Sequence, residues 1–194
     1  MKLSIELESA SSQEWIEAVM NDFDSFLQDH ADCERKASAM AMSFVAKFPD
    51  RVEIIPELIE TAVEELEHFQ SVYQIMEERG VQLPAKMGQD MYVKELVDHC
   101  RSDVESRFLD RLLLASIVEC RGAERFRLVY EHLPAGELKK FYHNLWASEA
   151  KHGNIFVKMA LNYFDEQQVY DRLKELNKIE AEVLARQPIK AALH

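Results

Sequence analysis

Apolar residues recur every three or four positions along most of the chain, which is the spacing that aligns them on one face of an α-helix. Strand signals, such as alternating β-branched runs between Asn-Gly turns, are essentially absent. The pattern predicts four long helices, at about 22–47, 52–79, 103–132 and 136–164. It also predicts three shorter helices, at about 11–20, 91–100 and 167–186. The chain is therefore predicted to be all-α.

Two of the predicted helix ends carry local signals. Ser11 and Glu14 have the spacing of a capping box, so the first short helix is predicted to begin there. Gly80 follows the second long pattern, at the position where a left-handed glycine commonly ends a helix. These signals support helix boundaries that the apolar pattern alone leaves imprecise.

Long helices of similar length, joined by short loops, pack side by side. We therefore predict an antiparallel four-helix bundle with additional short helices at the N-terminus, mid-chain and C-terminus. A helical repeat array is disfavoured because no period of 20–50 residues recurs. At 194 residues the chain has the size of one domain, so we expect a single domain over 1–194.

The chain shows no sign of export or membrane insertion. Its first ten residues, MKLSIELESA, lack the apolar segment of a signal peptide. The longest apolar run, LLLASIV at 112–118, is too short to cross a bilayer. Three cysteines, none in a CxxC pair, are expected to be reduced thiols. We therefore expect a cytoplasmic protein without membrane contact.

The net charge of −12 argues against indiscriminate nucleic-acid binding, which requires a basic surface. The charge is unevenly distributed, however. Residues 1–100 hold 8 basic and 21 acidic side chains, whereas residues 101–140 hold 8 basic and 7 acidic ones. The basic tract at 101–140 is either a solvated face of mixed charges or a surface for an anionic partner, and the sequence leaves both interpretations open.

Two helical segments repeat one motif, a glutamate followed three positions later by a histidine. These pairs are Glu65 with His68, and Glu149 with His152. Residues three apart lie on the same side of a helix, so each pair can bind one ion. Carboxylate and neutral imidazole suit iron or manganese, whereas a structural zinc would favour thiolates. The motif alone is weak, since acidic residues are abundant.

The wider spacing strengthens this interpretation. A dinuclear site in a four-helix bundle takes one more carboxylate from each of the other two helices. Glu34 precedes Glu65 by 31 residues, and Glu119 precedes Glu149 by 30. One helical hairpin used twice would therefore bring six donors to the bundle centre. The competing candidate on the third long helix is Glu124, whose face carries arginines and is expected at the surface.

Small residues accompany both additional carboxylates, which leaves room for an ion and a substrate. Around Glu34 they are Ala31, Ala37 and Ser38. Around Glu119 they are Ala115, Ser116, Gly122 and Ala123. Each glutamate taken singly is more often a solvated surface residue, but six donors in register favour a dinuclear metal site.

The segments around these donors resemble one family. CERKA, EELEH, ECRGAERFR and EAKH, in that order along the chain, are similar to segments of the tRNA 2-methylthio-isopentenyl-adenosine hydroxylases, which are ferritin-like non-haem di-iron monooxygenases. The resemblance covers nearly the whole chain. The glutamate–histidine pairs are shared by all ferritin-like di-iron proteins, whereas CRGAERFR carries the narrower match.

The resemblance implies a ferritin-like fold and an enzyme that hydroxylates the isopentenyl side chain of the modified adenosine next to the tRNA anticodon. It implies two iron ions, O2 as co-substrate and two electrons from an external donor of the reductase or ferredoxin type. The protein is expected as a monomer or small homo-oligomer. The implied metal ligands are Glu34, Glu65, His68, Glu119, Glu149 and His152.

The basic tract supplies the candidate tRNA contacts. Arg121, Arg125 and Arg127 are expected to hold phosphates, and Tyr142 and Trp146 are candidates for pocket lining or base stacking. For both aromatic residues, ordinary packing is the more common role. The alternatives to a tRNA hydroxylase are a ferritin-like protein that oxidises or stores iron, a manganese catalase-type peroxide scavenger, and a helical protein without metal.

Overall fold

The computed structural model describes residues 5–86 and 88–194. Within these residues it contains seven α-helices and no strand, which confirms the all-α prediction. The helices are α1 (Gln13–Asn21), α2 (Phe23–Lys47), α3 (Ile55–Arg79), α4 (Met91–Asp98), α5 (Val104–His132), α6 (Glu137–Leu161) and α7 (Glu166–Arg186). Each predicted helix is present, with ends that differ by up to three residues from those predicted.

The start of α1 differs in its capping from the prediction. Ser12, not Ser11, caps the helix, because its hydroxyl accepts a hydrogen bond from the Trp15 N–H at 3.3 Å. Ser11 instead donates to Glu124, through its N–H at 3.0 Å and its hydroxyl at 2.7 Å. The end of α3 agrees with the prediction: Gly80 has a φ of 72° and donates its N–H to the Glu77 carbonyl.

The chain divides into two compact units, with the division inside α1. One unit contains the described residues up to Ile16 together with Gln89–Ile189 and His194. The other contains Glu17–Gly88 and Lys190–Leu193. The single domain over 1–194 stays a prediction.

The unit of Glu17–Gly88 is built on the α2–α3 hairpin. Its two helices run antiparallel, since Asp24 at the start of α2 accepts hydrogen bonds from Arg79 at the end of α3. Near the middle, the Ser38 hydroxyl donates to the Ala62 carbonyl at 2.8 Å. Burial of apolar side chains such as Val72 stabilises such a hairpin by about 1.5–3 kcal/mol each.

The other unit is built on α5 and α6, with α4 and α7 packed beside them. Phe108, Leu112 and Phe156 are fully buried, so the α5–α6 pair has an apolar interior. Arg172 of α7 donates to Asp110 of α5 at 2.8 and 2.9 Å. Among the described residues, no helix is long and apolar enough to span a membrane.

Candidate metal centre

The α2–α3 hairpin brings three predicted ligands together. Ligand atoms of Glu34, Glu65 and His68 all lie within 4.8 Å of one another. His68 Nδ1 is 3.4 Å from a Glu65 oxygen and 3.7 Å from a Glu34 oxygen. Both carboxylates are buried and the imidazole is partly exposed. Glu65 and His68 meet because they lie one turn apart on the same side of α3.

His30 belongs to this site and was not predicted. Its imidazole is fully buried, one turn before Glu34 on α2, and its Nε2 lies 2.6 Å from a Glu34 oxygen. A hydrogen bond of this kind fixes the orientation of a carboxylate that binds metal. The spacing of four residues between His30 and Glu34 was the signal in the sequence that could have identified it.

The α5–α6 hairpin brings the other three predicted ligands together. Ligand atoms of Glu119, Glu149 and His152 lie within 4.8 Å of one another, and all three side chains are buried. His152 Nδ1 is 3.1 Å from a Glu149 oxygen. This cluster has the same composition as the first, with one carboxylate from one helix and a carboxylate–imidazole pair from the next.

The donor chemistry of both clusters fits a metal site. Each combines two carboxylates and one imidazole, and buried carboxylates at such short separations repel one another unless a cation neutralises them. Oxygen and imidazole donors without thiolate suit iron or manganese. Each cluster therefore fits a metal ion by its donor chemistry, and the six residues as ligands stay a prediction.

Cys120, next to Glu119, does not join the donors. Burial, with a smaller contribution from the Glu119 charge, raises the pKa of the Cys120 thiol to about 12. The donor clusters of the described residues do not include its sulfur. The side chain acts as a small apolar group at the α5–α6 contact.

Glu124 is not at the open surface, which corrects the sequence interpretation. Its carboxylate accepts the two hydrogen bonds from Ser11 and a third from Arg121 Nη1 at 3.1 Å. It is therefore a structural residue that fastens the N-terminal segment to α5. The three-donor cluster on this helix contains Glu119 instead, as predicted from the spacing.

Arg121 is fully buried, so it does not present its charge to solvent. Its guanidinium donates to Glu180 of α7 at 2.9 and 3.0 Å and to the Ser9 carbonyl at 2.8 Å. Tyr92 of α4 donates its hydroxyl to the same Glu180 carboxylate at 2.8 Å. Despite burial, the hydrogen bonds from Arg121 to Glu180 and their charge attraction keep the Arg121 pKa above its usual value.

Arg125 is also buried, and its guanidinium lies 4.6 Å from the centre of the Trp15 ring. Burial lowers the pKa of Arg125 to about 10. Of the three arginines expected to hold phosphates, only Arg127 is well exposed, with 47% of its side chain accessible and Glu131 at 3.9 Å. The expected surface role of Arg121 and Arg125 is therefore corrected: the N-terminal segment covers both, and α7 also covers Arg121.

The two aromatic candidates lie on α6. Tyr142 is fully buried against Phe126, with 5.8 Å between ring centres, which fits the packing role. Trp146 is partly exposed and stacks on Tyr130 at 6.1 Å. Trp146 therefore remains a candidate for contact with a ligand, whereas Tyr142 is part of the core.

Comparison with known proteins agrees with this geometry. The curated tRNA 2-(methylsulfanyl)-N(6)-isopentenyladenosine(37) hydroxylase of Pseudomonas putida is 35% identical over 171 residues, which is 88% of this chain and 82% of that protein. The protein of the same name from Salmonella typhimurium is 25% identical over 132 residues, or 68% of this chain and 48% of that protein.

A solved Synechococcus protein with aldehyde deformylating oxygenase activity has a similar fold. It superposes with a TM-score of 0.91 and 30% identity, covering 98% of this chain and 96% of its own. This match confirms the predicted ferritin-like fold class. The family model described as tRNA-(MS[2]IO[6]A)-hydroxylase (MiaE) matches residues 2–194. The chain therefore belongs to the MiaE family of tRNA hydroxylases.

Proposed function

We propose that this enzyme hydroxylates the isopentenyl side chain of 2-methylthio-isopentenyl-adenosine next to the anticodon of tRNA. The observation that carries the proposal is the pair of buried donor clusters, each with two carboxylates and one imidazole. The family description and the names of the Pseudomonas and Salmonella relatives, all tRNA hydroxylases, supply the substrate class.

Two iron ions are the cofactor that the donors suit best. Glu34, Glu65 and His68 would hold one ion, and Glu119, Glu149 and His152 the other. Carboxylate oxygens and imidazole nitrogens bind first-row metals at about 2.1 Å, so two donors of one ion lie at most about 4.2 Å apart. The separations of up to 4.8 Å within each cluster are close to this limit. Small movements of the side chains would complete the coordination.

Bound iron supplies the activation of O2. In the overall reaction one oxygen atom enters a C–H bond of the prenyl group, and the other leaves as water with two electrons and two protons from an external donor. The chain's own residues hold the site in place and keep it dry. His30 orients Glu34, and burial of the four carboxylates and of His152 limits access of water. Small side chains beside Glu119, such as Ala115, leave space for an apolar prenyl tail.

The tRNA is expected to make few contacts with phosphates. Of the three arginines considered as phosphate contacts, the exposed Arg127 is the candidate that remains. A chain with a net charge of −12 does not favour extensive contact with an anionic polymer. Such binding would be weak and sensitive to salt. The chemistry would then depend on the fit of the modified base more than on overall affinity for RNA.

The first test compares tRNA nucleosides, by mass spectrometry, from cells with and without the gene. We expect loss of the hydroxylated nucleoside and accumulation of its unhydroxylated precursor. An unchanged nucleoside profile, in cells that make the hydroxylated form, would refute the proposed substrate. A manganese content above the iron content, with turnover of peroxide, would favour the catalase-type alternative.

A matched pair of variants on α5 tests the ligand set. We expect Glu119→Gln to lose iron and hydroxylation, because a neutral amide is a poor ligand. Glu124→Gln should keep both, since its side chain is held by Ser11 and Arg121 outside the donor cluster. Iron content is measured by elemental analysis of purified protein. Loss of iron in Glu124→Gln alone would show that the wrong glutamate had been assigned.

A further inference from the structure

Gly153 lies in α6 directly after His152, and it faces Cys120 and Ser116 of α5. A Cβ atom added to Gly153 would overlap the Cys120 sulfur. The same atom would lie 3.6 Å from the Ser116 carbonyl oxygen and 3.7 Å from the Cys120 nitrogen, which are ordinary contacts. The Ser116 hydroxyl donates to the Gly153 carbonyl at the same place. α5 and α6 therefore approach closely here, and the sulfur atom alone blocks a larger residue.

The backbone of Gly153 does not explain the choice of glycine. Among the described residues the glycine in the left-handed region is Gly80, and Gly153 lies within regular helix. Glycine is a poor helix former, and alanine is the best one. A glycine at this position therefore weakens α6 locally. Its advantage over alanine must be the space that it leaves for the Cys120 sulfur.

The position of this contact connects it to the metal cluster. Cys120 adjoins Glu119 in α5, and Gly153 adjoins His152 in α6, so this close contact between the helices lies next to two of the donors. Glu119 comes from α5, whereas Glu149 and His152 come from α6. Their mutual separation depends directly on the spacing of the two helices. Since donors of one ion lie at most about 4.2 Å apart, a wider spacing of the two helices would move Glu119 away from the other two donors and weaken metal binding.

We propose that the Gly153–Cys120 contact sets the α5–α6 spacing at which Glu119, Glu149 and His152 hold one metal ion. Gly153 and Cys120 are positioning residues and touch no substrate. The inference rests on the proposed di-iron function. It concerns the ion that Glu119, Glu149 and His152 would hold.

The test is a titration of metal-free protein with Fe(II) under anaerobic conditions, read by calorimetry and by elemental analysis. Wild-type protein should bind two Fe(II) per chain. In Gly153→Ala we expect affinity for one of the two to fall by about 10- to 100-fold, the range known for residues that support metal ligands. Affinity for the other should stay the same. A general loss of stability would not produce such a selective change.

The double variant Cys120→Ala/Gly153→Ala tests whether the Cys120 sulfur causes the loss of metal affinity. Removal of the sulfur leaves only ordinary contacts for an alanine at 153, so the double variant should bind two Fe(II) like the wild type. Gly136→Ala is the control at the start of α6, because its added Cβ would meet no atom within 4 Å. This variant should also bind two Fe(II) per chain.

Three results would overturn the proposal. In the first, Gly153→Ala binds both ions with wild-type affinity, because Cys120 rotates away. In the second, the double variant is as impaired as Gly153→Ala. In the third, Gly153→Ala unfolds, by circular dichroism, and the double variant unfolds as well. Failure of the wild type to bind two Fe(II) would instead refute the proposed function itself.

Discussion

Glu180→Gln should destabilise the protein severely although Glu180 lies outside the donor clusters. Glu180 and Arg121 are both fully buried and joined by two hydrogen bonds. Removal of one partner of such a pair costs about 3–5 kcal/mol, because the other charge stays buried without compensation. The Glu124 carboxylate lies 3.1 Å from the same guanidinium, so it would still neutralise part of the Arg121 charge in this variant. We therefore expect a loss of about 3 kcal/mol in the free energy of unfolding, at the lower end of this range.

Urea unfolding followed by circular dichroism measures this loss. For a chain of this length, about 3 kcal/mol corresponds to a decrease in melting temperature of about 6–12 °C. Glu175→Gln is the matched control on α7: Glu175 pairs with Arg172 at 2.7 Å but is largely exposed. Exposed ion pairs contribute less than about 1 kcal/mol. A loss in Glu180→Gln no greater than that in Glu175→Gln would refute the reasoning.

Three other expectations concern pH, a helix end and RNA. Burial raises the pKa of Asp110, but hydrogen bonds from Arg172 and Arg101 outweigh it and lower the pKa overall. The stability it contributes is thus present above about pH 4 and lost as pH falls through the folded-state pKa, so Asp110→Asn should cost stability at pH 7 and progressively less in urea unfolding below pH 4. Gly80→Ala should cost about 1 kcal/mol in the same assay, because Gly80 has a φ of 72°, whereas Gly80→Asn should cost less. Arg127→Glu should weaken tRNA binding in filter-binding assays and reduce its salt dependence, with iron content unchanged; equal affinity would place the contact elsewhere.

The sequence was sufficient to predict the helices and the composition of the donor clusters. Amphipathic periodicity identifies long helices well, because their burial depends on one repeated face. The spacing Glu34–Glu65 nearly equals the spacing Glu119–Glu149, so the assumption of one hairpin used twice selected Glu119 over Glu124. The structure groups Glu119 with Glu149 and His152. The spacing identifies this grouping because a helix rises by a fixed amount per residue, so distance along the chain converts into height.

The arginines of α5 show where sequence reasoning fails. A run of basic residues in a soluble chain is usually exposed, and the counter-charge of Arg121 lies 59 residues away on α7. The Ser9 carbonyl that also binds Arg121 lies 112 residues away. No local pattern connects these partners, since their proximity arises from tertiary packing. The same holds for Ser11, whose hydroxyl donates to Glu124 of α5 instead of capping α1.

The buried acidic residues of this protein fall into two groups with different chemistry. Asp110 and Glu180 are neutralised by arginines, and the structure shows those partners at hydrogen-bond distance. Asp32 is also buried, and it pairs with Arg35 and Lys36. Among the described residues the remaining buried carboxylates are those of Glu34, Glu65, Glu119 and Glu149, and each is grouped instead with a second carboxylate and a histidine. An arginine provides a permanent charge but no lone pair for a metal, whereas a neutral histidine offers a ring nitrogen that can bind one. The kind of cationic partner, more than burial or acidity, therefore distinguishes the residues that fasten the helices from those suited to hold iron.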